Sequence, residues 1–285
     1  MEKKIRQVIK TVRGQRTTDG AGVSLVRVLG NDTMYDFDPI LMLDSFDSTD
    51  PRDFKAGFPT HPHRGIETVT FMAEGSITHR DNLGNKETVG NGEAQWLTAG
   101  SGAFHSEYLA ADKRLLGLQM WLNMPRKDKM APPSYHGIHN DKIPTVTFEG
   151  GRLRVLTGSF QGHEGFQSPH LPLDYYDITL QPHARLAFDV ADDRSVMAFT
   201  LQGTAVIGGT KVGEKTAAKL GEGNHITLEA GEKGAEVMIM SSRKLDEPIA
   251  WYGPIVMNSM GEIKQTVREL NEGTFLKSKL DYRNK

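Results

Sequence analysis

The sequence predicts an all-β protein made of two similar β domains in tandem, with one short helix near the C-terminus. Three observations carry this. Short runs of alternating polarity recur between Gly, Asn and Asp turns, with 30 glycines in 285 residues, the pattern of an antiparallel sandwich or barrel. The two halves repeat one another in strands and turns. Only one stretch, near the end, has a clean helical period.

The elements follow in chain order. "ETVTFMAEG" alternates, with Val69 and Phe71 on one face. "SITHRDNLGNKETV" predicts a hairpin turning at Asn82-Leu83-Gly84-Asn85. "EAQWLTAG" and "LLGLQMWLNM" read as further strands. "PRKDKMAPPSYHGIHNDKIP" is polar and proline-rich without a period, and marks the expected domain boundary, giving domains 1–130 and 131–285. Strands resume with "GRLRVLTGSF", "YYDITLQP", "ARLAFDV", "SVMAFTLQG", "TAVIGG", "NHITLEAG" and "AEVMIMSS". In "SMGEIKQTVRELNEG", Ser259 and Glu262 form a capping box. Ile263, Val267 and Leu270 make one apolar stripe for packing on a sheet, and Gly273 stops the helix.

Composition narrows the chemistry. With 38% hydrophobic and 25% charged residues the chain buries real cores. A net charge of −2 leaves no basic excess for nucleic acid or an anionic membrane. Cysteine is absent, which excludes disulfides, thiolate zinc sites, iron–sulfur clusters and cysteine nucleophiles. Any metal must therefore be held by nitrogen and oxygen. "MEKKIRQVIKTVRGQR" has no apolar signal region and no run has the roughly 20 apolar residues of a membrane span, so a soluble, cytoplasmic protein is expected.

The internal repeat isolates a candidate site. "FMAEGSITH" lies over "FTLQGTAVI", and "GNGEAQWLTAGSGAFHSE" over "GEGNHITLEAGEKGAEVMI". This registration sets His105 on Val237 and Glu107 on Ile239; counting back from Gly75 and Gly203 sets His61 and His63 on Asp189 and Ala191. The first copy is thus polar where the second is mostly apolar. A core need common to both copies would not produce that asymmetry, whereas a site present in one copy would.

In an extended chain residues i and i+2 lie on one side, about 6–7 Å apart. His61-x-His63 and His105-x-Glu107 each present two ligand-type groups on one face, and Pro62, lacking an N–H, suits a strand start or sheet edge. If the two strands face each other inside a barrel, three histidines and a glutamate converge. That donor set suits a divalent transition metal such as Fe(II), Mn, Ni, Cu or Zn. It leaves open positions and a residual positive charge for an anionic oxygen ligand such as an enolate. Glu67 shares the parity of His61 and His63 and is a rival ligand, better read as orienting a ligand histidine.

The motifs "FPTHPHRGIETVTFMAEGSITHRDNLGN" and "QWLTAGSGAFHSE", with the opening "DPILMLDSFD" and the closing "EPIAWYGPIVMNSMGEI", resemble the pirin family of the cupin superfamily over nearly the whole chain. The resemblance implies two tandem cupin (double-stranded β-helix, jelly-roll) barrels, of which only the N-terminal one holds metal, usually iron. By motif it implies His61, His63, His105 and Glu107 as ligands, with Glu67 outside the ligand set. The general cupin motif has proline where Thr98 stands and places its histidine closer to the glycine; pirins share both departures.

The implied activity is that of a quercetin 2,3-dioxygenase: O2-dependent ring cleavage of a flavonol or similar enolic substrate, with Glu107 as ligand and general base. The alternative is a non-enzymatic regulator that binds a transcription factor or metabolic enzyme according to iron redox state. A purely structural metal ranks last, because structural sites close their coordination shell with protein ligands.

Other motifs carry less. Ser106 points away from its neighbours, so "HSE" is no triad. "GSGAFH" and "GGTKVGEK" fail the dinucleotide and P-loop patterns. His79 is expected to face water, His136 and His139 to lie exposed in the boundary loop, and His163, His170, His183 and His225 to form no constellation. Trp96, Trp121 and Trp251 are expected in the core, with Phe46 and Phe58 as candidates to line a mouth.

Overall fold

The computed structural model describes residues 2–277; the chain ends that both expected domains include lie outside the described residues. The first half contains β1 (Val8–Arg13), β2 (Gln15–Asp19), β3 (Val23–Leu29), β4 (Ile40–Ser48), β5 (Phe58–His63), β6 (Ile66–Glu74), β7 (Ser76–Asp81), β8 (Lys86–Val89), β9 (Glu93–Thr98), β10 (Ala103–Ala110), β11 (Leu115–Asn123) and β12 (Ser134–Ile138). The second contains β13 (Thr145–Phe148), β14 (Gly151–Thr157), β15 (Ser159–Phe160), β16 (His163–Glu164), β17 (Leu173–Leu180), β18 (Arg185–Asp189), β19 (Arg194–Ile207), β20 (Thr210–Val212), β21 (Thr216–Leu220) and β22 (His225–Arg243). β23 (Ala250–Tyr252), β24 (Ile255–Met257) and the helix α1 (Met260–Asn271) follow.

The all-β expectation holds, and the paired ladders are antiparallel. Two sheets serve the candidate site: a four-stranded one in the order β5-β10-β7-β8 and a seven-stranded one in the order β12-β9-β6-β11-β4-β3-β2. The hairpin expected at residues 82–85 joins β7 to β8. Apolar alternation fills the core of this part with Val23, Leu25, Phe46, Phe54, Phe58, Met72, Ile77, Val89, Leu109 and Leu115. Each fully buried Leu, Ile or Phe contributes roughly 1.5–3 kcal/mol.

Where the sequence suggests one cut near residue 130, the two compact units are built from interleaved pieces. One comprises residues 16–25, 40–139 and the chain from Leu245 onward; the other comprises the chain up to Gln15, residues 26–39 and residues 140–244. Two features cause the difference. The proline-rich stretch contains β12, which pairs with β9 and so belongs to the first unit. The chain after Lys244 returns to that unit, where Arg64 bridges to Ile255 and donates to α1.

Strand pairing also corrects the internal registration. Gly75 and Gly203 do correspond, but the long β22 covers two strands of the first unit. Its residues 225–230 play the part of β10, because Leu228 pairs with Ile207 as Glu107 pairs with His79. The places of His61, His63, His105 and Glu107 are then held by Phe188, Val190, Ile226 and Leu228. All four belong to, or pack on, the second unit's apolar core. The asymmetry between the copies is therefore complete.

Ser259 caps α1 as expected. The buried face differs from the expected stripe: it carries Ile263, Thr266 and Glu269, while Val267 and Leu270 are half-buried. The reason is Arg64, a buried cation that draws two polar helix side chains inward.

Candidate metal centre

β5 and β10 run antiparallel with His61 opposite His105 and His63 opposite Ala103. β5 lies at the edge of its sheet, which Pro62 tolerates. The i, i+2 spacing then turns His61, His63 and His105 toward one point. Their Nε2 atoms converge: His61 to His63 at 3.1 Å and His61 to His105 at 3.0 Å. The three ring nitrogens form one compact group able to hold a metal ion.

The tautomers decide what this convergence means. His61 Nδ1 lies 2.8 Å from the Pro59 carbonyl and His63 Nδ1 lies 3.0 Å from the Pro254 carbonyl. A carbonyl only accepts, so each Nδ1 carries the proton and each Nε2 presents a lone pair. Two lone pairs at 3.1 Å cannot hydrogen-bond to each other; a cation between them satisfies both. Burial, reinforced by neighbouring His61, pushes His63 down to about 3, and burial takes His105 well below its usual value. Both stay neutral, the form a metal ligand requires.

Glu107 stands beside this group. It is buried, and its two oxygens accept from Gln95 Nε2 at 2.7 Å and Gln119 Nε2 at 2.8 Å. Its carboxylate groups with His105 and His79 within 4.8 Å. A set of neutral imidazoles with one carboxylate fits a divalent transition metal. A single divalent ion is thus consistent with the donors present.

Three expectations are corrected here. Glu67 is no partner of a ligand histidine. The Arg64-Gly65 turn between β5 and β6 resets the strand parity, so Glu67 shares a face with Val69 and Phe71, while Thr68 and Thr70 look toward the site. Its Oε1 accepts from Trp96 Nε1 at 3.1 Å and Thr98 Oγ1 at 2.7 Å, and burial pushes its carboxyl up to about 7. His79 does not face water. It is fully buried, with Nε2 3.0 Å from Asp81 Oδ2 and Nδ1 3.4 Å from His105 Nδ1. Phe46 and Phe58 are core residues rather than a mouth.

Trp96 is core, but Trp121 and Trp251 are half-buried and flank the site. The Trp121 ring lies 4.9 Å from His63 and 5.7 Å from Trp251. His136 is exposed on β12, and His139 pairs with Glu87 and Glu93 beyond its end. The signal for His79 was in the sequence: His79-x-Asp81 has the same i, i+2 spacing as His105-x-Glu107, and β7 pairs with β10.

The turn after His63 is tightly held. Gly65 has φ +76°, and a Cβ there would lie 2.0 Å from the Val256 carbonyl. Arg64 donates to Ser101 O, Thr266 Oγ1, Glu269 Oε2 and Phe275 O. Lys129 Nζ donates to Gly65 O, Asn123 Oδ1 and Val256 O.

Among known proteins, residues 22–122 match the Pirin family and residues 175–276 match the Pirin C-terminal cupin domain. A Pseudomonas aeruginosa protein provisionally named a quercetin 2,3-dioxygenase is 38% identical, over 94% of this chain and 97% of its own. A pirin-like protein of Caulobacter vibrioides is 37% identical, over 95% and 99%. The crystal structure of quercetin 2,3-dioxygenase from Acinetobacter baumannii superimposes with a TM-score of 0.88 at 28% identity, covering 95% of this chain and 99% of that one. No helix among the described residues is long and apolar enough to cross a membrane.

Proposed function

Because the chain belongs to the pirin family and carries its two cupin domains in tandem, we propose that it is a metal-dependent dioxygenase that opens the ring of a flavonol or a similar enolic substrate. The observation that carries this reading is the meeting of imidazole Nε2 atoms at 3.0 and 3.1 Å, which among the described residues occurs in one unit. His61, His63 and His105, with Glu107, would hold the ion, and iron(II) is the proposed metal. A nickel(II) complex of a bacterial pirin from Escherichia coli, similar in fold, supports a divalent ion in this kind of barrel. Bound there, the ion would supply Lewis-acid chemistry toward an anionic substrate oxygen.

The chain's own residues do the rest. Glu107 is the acceptor for the 3-hydroxyl proton of the substrate, taken on a carboxylate oxygen. Gln95 and Gln119 fix the rotamer of that carboxylate, so its position is set before substrate arrives. Trp121 and Trp251, tilted 40° to one another, supply aromatic surface beside His63 for an aromatic ring system.

The test is oxygen uptake by the iron(II)-loaded chain with quercetin, run beside His105→Ala. Uptake with loss of the flavonol absorbance, absent in the variant, is the expected result. No uptake despite one bound iron per chain would overturn the flavonol reading.

A further inference from the structure

β7 and β10 set two short motifs face to face: His79 opposite Glu107 and Asp81 opposite His105. The i, i+2 spacing points all four side chains the same way. His79 and Asp81 have fully buried side chains. Neither is needed to complete the donor set described above, and neither is a solvated residue of a hairpin.

Asp81 is locked as an acceptor. Its Oδ1 takes the backbone N–H groups of Leu83 and Asn85 at 2.8 and 3.0 Å, and its Oδ2 takes Asn85 Nδ2 at 2.9 Å. A carboxylate serving these donors has only acceptor capacity left for His79 Nε2, 3.0 Å away. The proton of a neutral His79 is therefore on Nε2, and its Nδ1 is an acceptor. That Nδ1 faces His105 Nδ1 at 3.4 Å. The remaining freedom of the His79 ring, rotation about its own bond, is removed by Tyr135, stacked at 4.1 Å with an interplanar angle of 11°.

We propose that Asp81 and His79 are positioning residues that set the tautomer of His105: Asp81 holds the His79 proton on Nε2, His79 Nδ1 accepts the proton of His105 Nδ1, and His105 Nε2 is left as a lone pair aimed at His61 and His63. His61 and His63 take their tautomers from backbone carbonyls; His105 takes its own from a side-chain chain two residues long. Without the chain, His105 has a competing choice. With its proton on Nε2 it would donate to the His61 Nε2 lone pair 3.0 Å away and close the site to a cation.

The inference rests on the metal reading, and the experiment separates the two. Histidine nitrogen NMR on metal-free protein reads each tautomer directly. In the wild-type chain His105 is expected as the Nδ1–H form. His79→Phe keeps a ring on Tyr135 but removes the acceptor, and His105 moves to the Nε2–H form. Nickel(II) affinity, measured by competition with a chelator, then falls by about 10- to 100-fold.

Asp81→Asn provides a second variant should His79→Phe fail to fold. Its Oδ1 must still serve the two turn N–H groups, so its amide N–H2 faces His79. The His79 proton is then driven to Nδ1 and His105 again to Nε2–H. An Nε2–H form of His105 in the wild type, or an unchanged tautomer in both variants, overturns the proposal. A wild-type chain that shows the Nδ1–H form but binds no nickel overturns the metal centre instead, and the positioning role with it.

Discussion

Arg64 Nη1 lies 2.7 Å from Glu269 Oε2, joining the residue after the second histidine of the site to a helix 205 positions later. Burial opposes a charged Glu269, yet hydrogen bonds from Gln265, Lys277 and Arg64 hold it down at about 2. Replacing Arg64 by Met takes away one of the three donors to that carboxylate, leaving Gln265 and Lys277, and deprives the Phe275 and Ser101 carbonyls of their guanidinium donor. A buried acceptor left without its partner costs about 1–3 kcal/mol. Urea unfolding of Arg64→Met should show a loss of that size, with weaker nickel(II) binding, because the turn that carries His63 is no longer held.

Removing a single ligand should separate binding from folding. His63→Ala deletes a lone pair and the contact to Pro254 O, and its affinity for nickel(II) should fall by more than the roughly 100-fold seen when a supporting residue is lost. Equilibrium dialysis measures this. Near-wild-type affinity would show that His63 is not a ligand.

Glu107→Gln should leave the fold intact and depress turnover. The amide keeps the shape of the carboxylate but cannot take a proton, so kcat should fall by about 10²- to 10⁴-fold, the usual worth of a general base. Steady-state oxygen consumption is the measurement, and a kcat within threefold or so of the wild type would rule out the base.

Glu67 makes a stability prediction with a definite sign. Burial raises its carboxyl from 4.5 to about 7. Between those values the folded chain keeps a proton that the unfolded chain has released. Its contribution is fully present below the unfolded value and is lost as pH rises through about 7. The loss is on the order of 3 kcal/mol. Burial draws Lys129 down to about 7 as well, which adds stability as pH rises above that value. That effect is common to both proteins and cancels in their difference. Glu67→Gln should therefore gain stability relative to the wild type between about pH 5 and pH 8, read from urea midpoints.

The local features of this chain were legible and the distant ones were not. Strict alternation exposed the sheets, and i, i+2 spacing exposed His61, His63, His105 and Glu107 as a group worth testing. Glu67 was misplaced because one glycine turn reverses parity, and a count of residues cannot see it. His79 was misplaced because its neighbours Thr78 and Arg80 are polar and point outward, which disguises a buried position as a solvated one. The internal repeat was visible, but its register slipped because β22 is one strand where the first unit uses two. The return of the chain after Lys244 had no local signature at all. It is encoded in Arg64, whose partners are spread over residues 101–275.

The Pro254 carbonyl that sets the tautomer of His63 is reached only after 253 residues have been joined, and Glu269 and Phe275, which hold the adjoining turn, come later still. A nascent chain emerging from the ribosome at about 5–20 residues per second has His61, His63 and His105 in hand long before it can fix them. The turn that carries His63 therefore depends on chain made much later, and a polypeptide cut short before Pro254 would carry all four proposed ligands without the carbonyl that fixes the His63 tautomer.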